Sequence, residues 1–304
     1  LEINLSNYLA SLELIKKIII GSWSFSGDLG SINKNEIHGA IEFAIKNKLN
    51  RFDTAPSYNN GKVDKLLSDY KDDIIVNTKC GYNSKGIKTF NVDDIEKSLE
   101  YSLKLFNKIN VLFLHSPRSE IKDWDKIISL LDYFKKNKLI KSTGISIARD
   151  HYFPTGVMNK FDYIQDEINL LRLKNIKKLK QYKCKLVARS PLANGLIKDN
   201  INSKTKFLKT DYRRHWCKGE RFKNILKQLQ EIKKIYPENI SDFAQTFLLQ
   251  NKSIIYINFG VKNKNQVDRL LKIIKSPSLN KTYLDKINNL IINNYNIDLK
   301  KKLY

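Results

Sequence analysis

Residues 51–61 read RFDTAPSYNNG, and this stretch holds the two polar residues around which the rest of the chain is organised. A short strand-like run ends at Asp53, a turn follows, and Tyr58 stands just ahead of the expected start of a helix. A carboxylate at a strand end and a phenol on the next loop border one pocket if the strand belongs to a parallel sheet or barrel. The alternative is that Asp53 only caps the turn and that Tyr58 is a half-buried loop aromatic.

The order of a strand followed by a helix repeats along the chain on both sides of this stretch. Apolar and β-branched runs predict strands, and apolar residues at helical spacing predict helices. The predicted strands are 17–23, 50–53, 74–79, 111–115, 142–147, 163–167, 185–189 and 254–260. The predicted helices are 36–48, 63–70, 92–105, 124–137, 150–158, 173–182, 222–235, 241–249, 264–275 and 282–293.

Eight such units predict an α/β fold, a (β/α)8 TIM barrel that forms a single domain over residues 1–304. A long polar loop, 198–221, follows the seventh strand, and a C-terminal helix and basic tail occupy 282–304. The competing open sheet normally carries GxGxxG after its first strand. Residues 21–30, GSWSFSGDLG, have the wrong spacing, and Trp23 would crowd a pyrophosphate there.

The composition suits a large core and a strongly basic surface. The 304 residues are 41% hydrophobic and carry a formal charge of +24. The lysines are spread along the whole chain without a nucleic-acid motif, so we expect attraction of anionic small molecules and not a nucleic-acid partner. No apolar run reaches membrane-spanning length, and the first residues lack the pattern of a secretory signal.

The cysteines and histidines indicate neither a disulfide framework nor a metal site. Cys80, Cys184 and Cys217 form no CxxC pair, which predicts free thiols and a cytoplasmic location. His38 and Glu42 share a helical face, but no second ligand pair accompanies them, so we expect no bound metal.

Polar residues close most of the predicted strands, and a barrel brings strand ends to one mouth. The residues at these ends are Trp23, Asp53 with Tyr58, Lys79, His115, Ser146, Gln165 with Asn169, Arg189 with Ser190, and Gly260 with Lys262. Lys79 and His115 each end an otherwise apolar strand, where a purely structural residue would be Val or Leu. A lone histidine of this kind is usually structural, but four titratable groups at successive strand ends indicate a catalytic site.

Those four groups favour one kind of chemistry. An ammonium at Lys79 would lower the pKa of the Tyr58 phenol, and Asp53 would keep Lys79 charged. His115 would orient a carbonyl oxygen, which Tyr58 would protonate. Side chains cannot supply hydride, so a nicotinamide cofactor is implied.

Seven segments in this order and spacing resemble the aldo/keto reductase family over nearly the whole chain. They are RFDTAPSYNNGKVDKLL, IVNTKCG, VLFLHSP, STGIS, IQDEINLL, ARSPLANGLI and FGVKNKNQV. The resemblance implies a (β/α)8 barrel that binds NAD(P)H, with Asp53, Tyr58, Lys79 and His115 as the catalytic tetrad. It also implies cofactor contacts from Ser146, Gln165, Arg189, Ser190, Leu192, Asn194, Gly195, Gly260, Lys262 and Gln266.

Two departures from the family pattern concern the nicotinamide. Ile147 stands where many members have asparagine, and Arg189 stands where many stack a tyrosine on the ring. Lys262 is expected to meet a 2′-phosphate, which favours NADP over NAD. We expect reduction of an aldehyde or ketone, with a slight preference for a sugar derivative. The alternative is a nucleotide-binding regulatory or scaffold protein with little turnover.

The expected substrate contacts are Trp23, Tyr58, His115 and Trp216. Trp216 belongs to an aromatic and basic segment, 210–222, that follows the seventh strand. This segment either clamps an anionic or sugar substrate through stacking and bidentate bonds, or is a solvated loop that Trp216 pins to the barrel.

Overall fold

Eight parallel strands close into a barrel in the order of the sequence, in a computed structural model that describes residues 5–118, 121, 123–147, 151–276 and 278–294. The strands are β1 (Ile18–Gly21), β2 (Arg51–Asp53), β3 (Ile75–Cys80), β4 (Ile109–His115), β5 (Ile140–Ser146), β6 (Tyr163–Glu167), β7 (Lys185–Arg189) and β8 (Ile254–Gly260). The first and last strands pair in parallel and close the ring, with Gly21 opposite Gly260. The predicted fold is confirmed.

Helices follow the strands and cover the outside of the barrel. They are α1 (Leu5–Lys16), α2 (Lys34–Lys46), α3 (Lys62–Ser68), α4 (Val92–Phe106), α5 (Trp124–Lys136), α6 (Thr155–Met158), α7 (Lys174–Leu179), α8 (Gly219–Ile235), α9 (Ile240–Gln250), α10 (Lys264–Lys275) and α11 (Lys281–Asn294). Short 3-10 helices lie at Ser22–Phe25, Ala193–Gly195 and Tyr212–His215.

Helix α2 illustrates how the sequence fixes these elements locally. The Asn33 side chain accepts hydrogen bonds from the backbone of the first turn, which satisfies amide groups that have no partner within a helix. Ile37, Ala40, Ile41 and Ala44 then recur at helical spacing and are all buried against the barrel.

Two apolar layers hold the barrel together. The larger lies between strands and helices, and a smaller one fills the barrel interior with Ile19, Val111, Phe113 and Val187. Gly144 on β5 makes room for this filling, because a Cβ there would lie 2.3 Å from the Phe113 ring. The interior is therefore a packed core, and ligands have access only at its ends.

Several predicted boundaries were wrong. Helix α1 was not predicted at all. Strand β1 ends at Gly21 and not at residue 23, because Ser22 and Ser24 turn inward and donate hydrogen bonds to backbone oxygens. Helix α8 begins at Gly219, inside the predicted loop 198–221. Helix α6 is shorter than predicted, with residues 148–150 outside the described part, as is the basic tail at 299–302.

Within the described ranges, no helix combines the length and the apolar character needed to cross a bilayer.

Candidate active site

A cavity of about 1180 Å³ opens where the strands end at their carboxyl termini. Every residue predicted for catalysis, cofactor or substrate lines it. These are Trp23, Asp53, Tyr58, Lys79, His115, Ser146, Gln165, Arg189, Ser190, Leu192, Asn194, Gly195, Trp216, Gly260, Lys262 and Gln266. The fold thus gathers residues spread over most of the sequence into one site.

A buried ion pair stands at the base of the cavity. Lys79 Nζ donates to Asp53 Oδ1 and, at 2.9 Å, to the backbone oxygen of Thr54, and both charged side chains are almost fully buried. Burial lowers the pKa of Lys79, but the neighbouring Asp53 and Tyr58 outweigh it and hold that pKa above its ordinary value. Lys79 therefore stays an ammonium ion at neutral pH.

Tyr58 lies directly beside this ammonium ion. Lys79 Nζ is 5.1 Å from the centre of the Tyr58 ring. Burial raises the pKa of the Tyr58 phenol above its ordinary value, while the charge of Lys79 lowers it and that of Asp53 raises it. The sequence predicts that Lys79 brings the phenol pKa down, and the net direction is the opposite. Burial is the larger effect in this cavity, so the phenol is protonated at neutral pH.

His115 completes the group as an uncharged imidazole. Its ring meets that of Tyr58 edge-on, with the ring centres 6.0 Å apart. Burial lowers the pKa of His115 far below its usual range, and the positive charges of Lys79, Lys88 and Arg189 lower it further. A neutral imidazole can donate one hydrogen bond to a carbonyl oxygen without competing with Tyr58 as an acid.

Two predicted nicotinamide contacts are joined to the ion pair by hydrogen bonds. Ser146 Oγ donates to Gln165 Oε1 at 2.9 Å, and Gln165 Nε2 donates to Asp53 Oδ2 at 2.8 Å. The two residues that depart from the family pattern are in contact, since Arg189 Nη2 donates a hydrogen bond to the backbone oxygen of Ile147 at 3.0 Å. The guanidinium is therefore held against the backbone at the edge of the cavity.

Lysine and arginine side chains crowd the part of the cavity after β7 and β8. Burial lowers the pKa of Lys198, and the charges of Arg213 and Arg269 lower it further. The pKa of Lys262 is lowered by burial and by Arg213 and Lys198, against the opposing charge of Asp211. Cations that repel one another beside a cavity are stabilised when a polyanion binds among them.

The loop after β7 offers backbone groups to the same region. Ser190, Ala193 and Asn194 all have positive φ, a conformation rare outside glycine, and Gly195 continues it. A Cβ at Gly195 would make a tight contact of 3.1 Å with Arg213 Nη1.

Asn258 on β8 is a site residue that the sequence analysis missed. Its Oδ1 atom is buried without a hydrogen-bond partner among the described residues. A Cβ at Gly21 would lie 2.2 Å from this oxygen, so a larger residue there would displace the Asn258 side chain. An orphaned amide oxygen beside the cavity fits a bound ligand with hydroxyl or amide donors.

The residues of the segment 210–222 contact the β7 loop, Trp23 and one another. Arg213 pairs with Asp211 and donates a hydrogen bond to the backbone oxygen of Asn194. It therefore stabilises the loop after β7. Tyr212 packs edge-on against Trp23. Trp216 borders the cavity with the Arg221 guanidinium 4.5 Å from its ring centre, an arrangement that favours the pinning role.

Asp64 of α3 is a buried carboxyl group near the site, and its titration should make the stability of the protein depend on pH. It is fully buried, its Oδ1 accepts a 2.5 Å hydrogen bond from Thr54, and its Oδ2 has no partner in the described residues. Burial raises the pKa of Asp64 to about 6, against the opposing effects of Thr54 and Lys79. The protonated carboxyl group of Asp64 therefore favours the folded state. This stabilisation is fully present below the pKa that Asp64 has in the unfolded chain, and it is lost as the pH rises through 6.

Asp64→Asn should remove this loss. We expect the free energy of unfolding of the variant, relative to the unchanged protein, to rise between pH 4.5 and pH 8 by about 2 kcal/mol. Urea unfolding at the two pH values measures it, and Asp69→Asn, at an exposed position, is the control. A difference that does not change with pH would contradict the raised pKa.

Comparisons with known proteins agree with this fold. The model of the Aldo/keto reductase family matches residues 17–292. The glycerol dehydrogenase AKR11B4 from Gluconobacter oxydans is similar in structure, with a TM-score of 0.75, 21% identity, and coverage of 90% of this chain and 91% of that one. The holo form of the aldo-keto reductase AKR11C1 from Bacillus halodurans gives a TM-score of 0.71, 16% identity and the same coverage. No curated protein sequence matches the chain.

At these identities the two structures support the fold, whereas the family match spans most of the sequence. The chain therefore belongs to the aldo/keto reductase family, whose members are nicotinamide-dependent oxidoreductases that act on carbonyl compounds.

Proposed function

We propose that the protein uses NADPH to reduce an aldehyde or ketone to an alcohol, with Tyr58 as the general acid. The observation that carries the proposal is the buried Asp53–Lys79 ion pair beside a half-buried phenol and a neutral imidazole. A buried ion pair is costly to desolvate and is a poor choice for stability alone. Beside a phenol it has a chemical use, because it stabilises the phenolate that forms when the proton leaves.

The reaction divides between the cofactor and the side chains. The nicotinamide, when bound, supplies the hydride that reaches the carbonyl carbon. His115 orients the carbonyl oxygen through a hydrogen bond, and Tyr58 transfers its proton to that oxygen. Lys79 remains an ammonium ion throughout and lowers the energy of the Tyr58 phenolate, while Asp53 keeps Lys79 charged and in place.

The residues that would hold the cofactor follow from the chemistry of its parts. Ser146 and Gln165 offer a hydroxyl and an amide to the carboxamide of the nicotinamide. The backbone from Ser190 to Gly195 and the surrounding cations suit the pyrophosphate. Asn258, with its orphaned oxygen, suits a ribose hydroxyl.

The preference for NADP rests on the cations after β8. Lys262 borders the cavity, although its ammonium now donates to backbone oxygens of residues 29–31. Arg269, also at the cavity, is paired with Asp242. A 2′-phosphate adds about two negative charges that these groups can meet with charge-assisted hydrogen bonds.

NADPH should therefore bind more tightly than NADH, by about 10- to 100-fold, as expected for one or two charge-assisted bonds. Quenching of protein fluorescence by each nucleotide measures the two dissociation constants. Lys262→Ala and Arg269→Ala should each weaken NADPH binding and leave NADH binding nearly unchanged. Lys97→Ala, which removes an exposed charge on α4, is the control. Equal affinity for both nucleotides would contradict the NADP preference.

A second candidate is a nucleotide-binding regulatory or scaffold protein with little turnover. The contact between Arg189 and Ile147 favours it, because a cation replaces the usual aromatic ring beside the nicotinamide. NADPH binding without NADPH oxidation across a broad panel of carbonyl compounds would support this candidate. Under either function we infer a cytoplasmic protein, given that all three cysteines are free thiols.

A further inference from the structure

Arg189 places a positive charge at the catalytic end of the cavity. It ends β7, lines the cavity, and lies opposite Glu167 in the pairing of β6 with β7. Its Nη2 atom donates a hydrogen bond at 3.0 Å to the backbone oxygen of Ile147, the residue after Ser146. The guanidinium is therefore held beside the strand end from which Ser146 is proposed to bind the nicotinamide carboxamide.

The charge of Arg189 reaches the groups that act on the carbonyl. Burial raises the pKa of Tyr58 and lowers that of His115. The positive charges of Lys79 and Arg189 act to lower both pKa values. Hydride transfer requires reacting atoms about 3–3.5 Å apart while the carbonyl oxygen meets Tyr58 and His115. The ring that supplies the hydride must therefore lie within reach of the same charge.

The nearest carboxylates offset only part of this charge, because other groups bind their oxygen atoms. Asp166 Oδ2 accepts from the Tyr152 hydroxyl and Oδ1 from the backbone nitrogen of Glu167, both at 2.7 Å. Burial raises the pKa of Asp166 to about 6, against the opposing charge of Arg189. The carboxylate of Glu167 lies 3.8 Å from Arg172 Nη1.

We infer that Arg189 makes the site selective for the oxidation state of the cofactor, because the oxidised nicotinamide ring carries a positive charge and the reduced ring carries none. The inference rests on the proposed function and deepens it. Two unit charges about 10 Å apart, at an effective dielectric constant of about 20, change a binding constant by about tenfold. The reduced cofactor should therefore bind more tightly than the oxidised one.

A charge that disfavours the oxidised ring has opposite effects on two steps. It makes the bound reduced cofactor a weaker hydride donor, and it favours release of the oxidised cofactor after turnover. The protein should therefore resist inhibition by its own oxidised cofactor, which suits an enzyme whose proposed direction is reduction.

Calorimetric titration measures the dissociation constants of NADPH, NADP⁺, NADH and NAD⁺, so the test does not depend on the preference for a 2′-phosphate. In the better-bound pair, the oxidised form should bind about tenfold or more weakly than the reduced form. Arg189→Gln, whose amide can still donate to Ile147, should bring the ratio of the two constants to about 1. Arg189→Lys keeps the charge and should keep most of the difference. A ratio that Arg189→Gln leaves unaltered would overturn the inference.

Two controls locate the effect at the nicotinamide. Lys262→Ala, at the proposed phosphate end, should weaken the oxidised and the reduced form alike and so leave their ratio unchanged. Adenosine 2′,5′-bisphosphate and ADP lack the nicotinamide and should bind the unchanged protein and Arg189→Gln equally well. If Arg189→Gln weakens their binding as much as that of the reduced cofactor, the arginine serves the phosphates or the fold, and the inference is wrong.

Steady-state assays with a panel of carbonyl compounds separate this inference from the proposed function. If the ratio behaves as expected and no carbonyl compound is reduced, the inference stands and the proposed reductase activity fails. If carbonyl compounds are reduced and the unchanged protein binds both oxidation states equally, the activity stands and the inference fails. If no nucleotide binds, both fail.

Discussion

Replacement of Tyr58 by phenylalanine is expected to lower kcat by about 10²- to 10⁴-fold, the usual contribution of a positioned general acid. The change removes one oxygen and leaves the ring, so its packing against the core and the edge-on contact with His115 should persist. The dissociation constant of NADPH should stay within about twofold, because the proposed phosphate contacts come from other residues. Stopped-flow single turnovers measure the chemical step, and fluorescence quenching measures binding.

The matched control is Tyr133→Phe, which removes the same oxygen from an exposed tyrosine on α5. This control should keep the full rate. A Tyr58→Phe protein that retains more than about a tenth of the rate would overturn the assignment of the acid. Loss of NADPH binding together with turnover would show that the phenol serves the cofactor instead.

The raised pKa of Tyr58 predicts how the rates of reduction and of the reverse oxidation depend on pH. A half-buried phenol whose pKa lies above its ordinary value is protonated at neutral pH, in the state that an acid needs for reduction. Oxidation of an alcohol needs the phenolate, so the reverse rate should rise as the pH increases toward that pKa, whereas the forward rate should be flat near neutrality. The lowered pKa of His115 agrees, since a neutral imidazole adds no titration in that range.

The strand ends explain why much of this site was predictable. Strands such as β4 and β7 contain a short apolar run, and the polar residue that ends the run lies at the mouth of the barrel. Lys79 and His115 could be identified because a charged or polar residue at the end of such a run is costly without a purpose. The pairing of neighbouring strands in the barrel then brings Asp53 and Lys79 into contact. This contact can be predicted without knowing the structure of the loops.

The loops were less predictable, because their contacts join distant parts of the chain. The sequence leaves the segment 210–222 with two roles, and it does not reveal that Arg213 bonds to the backbone oxygen of Asn194 and, on the other side, to that of Leu29. Lys88 was missed because it lies within a polar loop and gains its position from a bridge to Tyr82. Asn258 was missed because it lies between apolar residues in β8, where period and composition indicate only a strand.

Lys79→Met is expected to have the second large effect, and it acts on stability as well as on turnover. Methionine fills much of the volume of lysine but leaves the Asp53 carboxylate buried with hydrogen bonds only from neutral groups such as Gln165. Loss of one partner of a buried ion pair costs about 3–5 kcal/mol. Urea unfolding should show a loss of this size, and turnover should fall to background because the phenolate loses its neighbouring charge.

The double variant Lys79→Met with Asp53→Asn separates the two effects. Without the buried charge, most of the lost free energy of unfolding should return, and the asparagine oxygen can still accept the hydrogen bond from Gln165. Turnover should not return, because no ammonium stands beside Tyr58. A double variant that is folded, stable and inactive would assign Lys79 to catalysis and Asp53 to holding it there. A double variant that regains turnover with stability would instead mean that the ion pair only maintains the shape of the barrel mouth, and that Tyr58 acts without it.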